Sequence, residues 1–169
     1  MRILRGIGIV LALLILGLVG LGVAARFADG PIALYPGGPL VAGEWVDGDV
    51  DWTFAREEPL MELQLLEPGT SRTVWLLVHD RRLFIVSGYM DTTVGKLWKK
   101  WPMRAEADGR AVVRLDGKLY AGTLVRILDD HALFEALSEE AQRKYHVPLT
   151  APVFERGGSW LFEWQPRQR

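Results

Sequence analysis

Residues 6–25 carry no charged or strongly polar side chain, and Arg26 closes the run. A helix crosses a bilayer core with about 20 mostly apolar residues, so the stretch is long enough to span, and everything after it reads as a domain held near a lipid surface. Arg2 and Arg5 precede the run, while Arg26 and Asp29 beyond it largely cancel. The positive-inside tendency then predicts a cytoplasmic N-terminus and a domain outside the cytoplasm, periplasmic in a Gram-negative cell. Val23-Ala24-Ala25 has the small residues of a signal-peptide cleavage site. The apolar run, however, is longer than the about 7–15 residues of a signal core. The expectation is therefore an uncleaved single-pass anchor over residues 1–26, in an inner or plasma membrane. Gly8 with Ala12, and Gly20 with Ala24, have the small-xxx-small spacing that lets a second helix approach.

With Arg2 and Arg5 set aside, residues 26–169 hold 18 basic and 21 acidic residues. That balance argues against a nucleic-acid binder, which would show a basic surplus. The absence of cysteine excludes disulfides, thiolate metal sites and a cysteine nucleophile. His79, His131 and His146 lie on separate segments without metal-ligand spacing, so no metal site is expected. Neither Ser71 nor Ser87 has a His/Asp constellation around it, which argues against a hydrolase.

Residues 27–43 are rich in turn formers, with Asp29-Gly30-Pro31 and Pro36-Gly37-Gly38-Pro39. They read as a connector running along the domain surface or the membrane face. Residues 44–169 form the soluble domain. Met61–Leu66 alternates, with Glu62 and Gln64 on the polar face. Thr73–His79 and Leu83–Ser87 form a hairpin through Asp80-Arg81-Arg82, and Ala111–Leu115 and Lys118–Ile127 form another through Asp116-Gly117, a type I′ turn signal. Trp160–Trp164 supplies a last strand. A short helix is expected over about 92–101, ended by Pro102. A longer one is expected over about 131–145, capped by Asp130, with Leu133, Ala136, Leu137, Ala141 and Tyr145 as its buried stripe. Asp129-Asp130 and Glu139-Glu140 read as helix-start and solvent-face charges. Strands joined mostly by tight turns favour a mainly β, largely antiparallel barrel with peripheral helices.

The chemistry-bearing segment is Arg72–Arg126. Arg72 opens a strand; Thr92 and Thr93 stand at a helix start, followed by Lys96, Lys99 and Lys100 with no acid between them. Unpaired amides at a helix start favour an anion, and a strand arginine would reach the same group. Three bland readings stand beside this one. The lysines would form a solvated face, Trp98-Lys99-Lys100-Trp101 would rest among lipid headgroups, and Arg72 would pair with Glu62 across the sheet.

Arg72, Val74 and Leu76, then Thr93 and Lys96, then Ala111-Val112-Val113-Arg114-Leu115 follow an order that resembles the split β-barrel superfamily of flavin-binding proteins. That superfamily includes pyridoxamine phosphate oxidase-like and deazaflavin-dependent reductase-like families, and the resemblance covers about residues 60–128. Ala28-Asp29-Gly30-Pro31 and Pro36-Gly37-Gly38-Pro39 are similar to a membrane-anchored bacterial branch of it. The resemblance implies a split antiparallel barrel, FMN or a deazaflavin-like cofactor held through Arg72, Thr92, Thr93, Lys96 and Lys99, and a homodimer. Haem, with His79 or His146 as axial ligand, is the lesser cofactor expectation. No second basic cluster matches the substrate-phosphate site of a true pyridoxamine phosphate oxidase. Two functions remain open: an anchored flavin-type redox protein, or a non-catalytic accessory subunit of a membrane complex.

Overall fold

Asp116 and Gly117 both take positive φ, 49° and 71°, as a type I′ turn requires. They join β5 (Arg110–Leu115) to β6 (Lys118–Ile127). In the structure, a computed structural model, residues 2–168 are described, with the side chains of Arg2, Ile3, Val94, Lys96 and Trp98 outside that description. The other hairpin, β3 (Thr70–His79) to β4 (Arg82–Gly88), is tighter than its sequence suggests. Arg82 pairs with His79, so only Asp80 and Arg81 turn, at φ 47° and 66°.

β2 (Leu60–Leu65) runs antiparallel between β3 and β5. β7 (Ser159–Pro166) pairs with both β4 and β6, closing six antiparallel strands in the circuit β6-β5-β2-β3-β4-β7. The fold is mainly β, a closed antiparallel barrel with helices around it. One edge of β6 serves two partners: a short parallel strand β1 (Glu44–Val46) along residues 118–120, then β7 along residues 122–127.

Alternation sends Val74, Leu76 and Val78 of β3 into the barrel with Leu63, Ile85, Val113 and Phe162. Aromatic groups fill its two ends. At the β3–β4 turn, Trp52 on a 3-10 turn (Trp52–Ala55) packs against Tyr120 at 4.8 Å and edge-on to Trp164 at 5.0 Å. At the opposite end Trp101 meets Phe162 at 5.6 Å.

Trp101 belongs to a helix that the sequence reading did not foresee. α2 (Thr93–Trp98) stops before Pro102, and α3 (Trp101–Ala107) begins there. Proline suits the first turn of a helix, where its missing N–H has no intrahelical partner, so Pro102 starts a helix instead of ending one.

α4 (His131–Tyr145) is capped by Asp130, whose carboxylate accepts the Leu133 N–H at 3.0 Å. It lies on the outer face of β3, β4 and β7 with α5 (Ala151–Glu155). Leu133, Phe134 and Leu137 bury themselves there against Leu77, Phe84 and Leu161, each stabilising the fold by about 1.5–3 kcal/mol. Glu139 is exposed as expected, whereas Glu140 is not a solvent-face charge. It is 6 % exposed and accepts paired hydrogen bonds from both Arg56 and Arg143 at 2.7–3.1 Å.

α4 ends at His146, which holds a left-handed conformation (φ 55°) that favours glycine. His146→Gly is expected to raise the unfolding free energy by about 1 kcal/mol, read as a higher urea midpoint with an unchanged slope. A lower midpoint would mean that the imidazole makes a contact outweighing the backbone relief.

The connector packs on the barrel wall. Gly37 and Ser71 exchange backbone hydrogen bonds, and the Ser71 hydroxyl donates to the Gly38 carbonyl at 2.6 Å. A Cβ at Gly37 would lie 1.8 Å from the Gly30 carbonyl oxygen, so the strap closes only with glycine there. Gln64, expected on a polar face, is buried beneath it and accepts the Leu40 N–H at 2.8 Å. α1 (Arg2–Ala25) precedes the connector; Leu4–Ala25 is long and apolar enough to cross a membrane, and the window that meets this test is entirely unburied.

Candidate functional site

Between the outer face of β3 and β4 and the C-terminal end of α4 lies a cavity of ≈ 620 Å³, within the range of about 300–1,000 Å³ common to small-molecule sites. Trp75 and Tyr145 form one wall, stacked at 4.7 Å and 11°. Leu77, Val86 and Val153 supply apolar surface, and Lys99, Arg156 and Asp91 stand around it. Among the described residues neither Lys99 nor Arg156 has a carboxylate partner. The Lys99 ammonium donates to the Gly88 carbonyl at 3.2 Å and lies 5.3 Å from the Tyr89 ring centre. Burial lowers its pKa.

Tyr145 has a second role. β2 pairs with β3 only up to Trp75, so Leu76 has no partner on that side. The Tyr145 hydroxyl takes the place of the missing strand, accepting the Leu76 N–H at 3.1 Å and lying 2.7 Å from its carbonyl. Lys144 donates to the same carbonyl at 3.1 Å. Burial raises the Tyr145 phenol to about 12 and lowers Lys144 to about 8. The phenol therefore stays protonated near neutrality and holds the aromatic wall in register with the barrel.

The structure divides the residues singled out in the sequence. Lys99 lines the cavity. Thr92 is the N-cap of α2: its hydroxyl accepts the Gly95 N–H and bonds the Tyr89 carbonyl, both at 2.9 Å. Thr93 is exposed in the first turn of that six-residue helix, and the Lys96 side chain lies outside the described residues. Arg72 does not line the cavity. It lies 5.9 Å from the Trp101 ring centre at the barrel end. Nor does it pair with Glu62, which sits opposite Thr73 and is held by Arg114.

Trp75 and Tyr145 were not read as site residues. The available signal was a tryptophan on the outward phase of β3 and a tyrosine ending the α4 stripe. His79 pairs with Asp80 at 3.2 Å on the β3–β4 turn, and His146 is exposed at the end of α4.

No family model matches the chain, and no curated protein matches it. Among solved structures it is similar to a protein titled F420 Reductase, at 16% identity and a TM-score of 0.41, over 73% of this chain and 97% of that one. A likeness of that degree assigns no residue a role. What the geometry defines by itself is a closed antiparallel barrel with an apolar N-terminal helix and one aromatic-walled, cation-bearing cavity.

Proposed function

We propose that the chain is a membrane-anchored member of the split-barrel superfamily. Its domain lies on the extracytoplasmic side, and its cavity holds a flat, anionic cofactor of deazaflavin or FMN type. The observation that carries this is the cavity itself: the Trp75–Tyr145 pair offers a planar wall, and Lys99 stands beside it without a carboxylate. An aromatic face suits a ring system, and an uncommitted ammonium suits the negative group attached to it. Thr92 and Thr93 follow directly on the Tyr89–Asp91 rim, so Lys99 and this short segment form the phosphate side of the reading. When bound, such a ring supplies the redox chemistry. The chain's own part is to orient it, to shield one face from water and to keep a cation beside its charge.

Absorbance of the purified protein, and titration of the colourless protein with FMN and with a deazaflavin, test the proposal directly. Lys99→Gln is expected to weaken retention about ten-fold with unchanged melting, and Trp75→Ala to weaken it further, with a modest drop in melting from the lost stack on Tyr145. A protein that neither carries colour nor quenches either ring would overturn the cofactor reading.

The accessory-subunit reading has one observation in its favour. Added Cβ atoms at Gly6, Gly17 and Gly20 would meet nothing within 4 Å, and the three share one side of α1, so that small face is open to another helix, including that of a second copy. Cysteine crosslinking at Gly17 and Gly20 in membranes would trap such a pair; no crosslink at either position would sink this reading.

A further inference from the structure

Several acidic residues near the end of the barrel closest to α1 are already committed to particular arginines, while Glu67, in the turn between β2 and β3, lies near Arg110. Asp29 and Glu62 are both held by Arg114; Asp29 also accepts the Val41 and Ala42 N–H groups. Asp108 is held by Arg110 at 2.7 Å, and Glu106 by Arg126. Three arginines at this end have no carboxylate among the described residues: Arg26, Arg72 and Arg104.

They come together through the fold. Ser71 ties β3 to Gly38, and a Cβ at Gly38 would lie 2.8 Å from the Arg26 carbonyl oxygen, so the residue that ends the apolar run is stacked beside the start of β3. From the other side Trp101 lies under Arg72, and Arg104 follows it by one turn of α3. Among the described residues the Arg72 Nε is buried without a hydrogen-bond acceptor, and the one side-chain hydrogen bond of Arg72 is a long one, 3.4 Å, to Thr70. A buried donor left unpaired costs about 1–3 kcal/mol. Burial first, then Arg104 and Arg26, holds the Arg72 guanidinium down to about 10. The cluster therefore lacks an anion.

Its place says which anion. Arg26 is the first residue beyond the apolar helix, and Phe27 and Leu34, 87% and 93% exposed, stand in the connector that follows. We infer that this end of the barrel binds the phosphate of an anionic phospholipid through Arg26, Arg72 and Arg104, with Phe27 and Leu34 resting among the acyl chains. The site is separate from the Lys99 cavity and rests on α1 crossing the bilayer.

The test uses the full chain purified in neutral detergent and titrated with phosphatidylglycerol or phosphatidylcholine. Native mass spectrometry reads the lipids retained. Phosphatidylglycerol is expected to be preferred. Arg104→Gln and Arg26→Gln, both at exposed positions, are each expected to cut that preference about five-fold with unchanged melting, and Arg72→Gln to cut it further. Equal retention of the two lipids overturns the site, as does a preference that survives both exposed substitutions. Displacement of bound phosphatidylglycerol by excess inorganic phosphate also overturns it, because the site would then serve a soluble anion. The intact mass reports whether residues 1–25 are present. A chain that has lost them overturns the anchor and the lipid site together, whereas an intact chain without preference overturns the lipid site alone.

Discussion

Gly122→Ala is expected to lower the unfolding free energy by about 3 kcal/mol, the upper part of the range for forcing atoms into a filled core. Gly122 lies on the inward phase of β6 between Tyr120 and Leu124, paired with Ala111 on one side and Pro166 on the other. A Cβ there would come 2.1 Å from Nε1 and 2.2 Å from Cε2 of Trp164. The indole has little freedom to retreat, being 4% exposed and wedged edge-on against Trp52. The strain falls on the β6–β7 pairing that closes the barrel. Trp164→Phe removes the two clashing atoms, so adding it to Gly122→Ala should restore part of the loss, a coupling that a double-mutant cycle in urea would show. A single-mutant loss below about 1 kcal/mol, or strict additivity, would show that the ring slides aside freely.

The second large effect is electrostatic. Glu140 is buried, and its carboxylate is held at both oxygens by Arg143 and then Arg56, which lowers it to about 2 from a usual 4.5. Because the folded value is depressed, the stabilisation is complete above the unfolded value and disappears as pH falls through the folded one. With the two arginines about half exposed, screening reduces the contribution to about 2 kcal/mol. Glu140→Gln should therefore lose about 2 kcal/mol near neutrality. Its stability curve should converge with that of the parent between about pH 5 and 2. Parallel curves across that window would place the acid sensitivity elsewhere.

Local chemistry made much of the barrel legible. Asp116-Gly117 announces its turn because both residues must take positive φ, and the α4 stripe announces a buried face. Closure was not legible in the same way. The pairing of β6 with β7 joins residues some forty positions apart, and no turn signal encodes it. β1 is too short to show a period. Pro102 was misread because proline stops one helix and starts another with equal ease, and only the barrel end covered by Trp101 decides between them. Glu140 followed a similar course: a carboxylate on a helix reads as solvated until Arg56, from a distant segment, is placed over it. At the cavity, Lys99 was visible as part of a lysine run. The wall was not, since Trp75 and Tyr145 meet only after α4 folds back across β3. Arg72 stood out in the sequence, but its neighbours Arg26 and Arg104 come from two other segments, one after α1 and one in α3.

The joint between α1 and the barrel carries a consequence of its own. Ala25 is fully buried, Tyr35 packs against Gly22, and the helix runs into turns bonded back to Val23, Ala24 and Ala25. Arg114 then clasps Asp29 a few residues later. A domain held in this way does not swing like a float on a cord. With α1 in a bilayer, the mouth beside Trp75 keeps a constant height and bearing above the lipid.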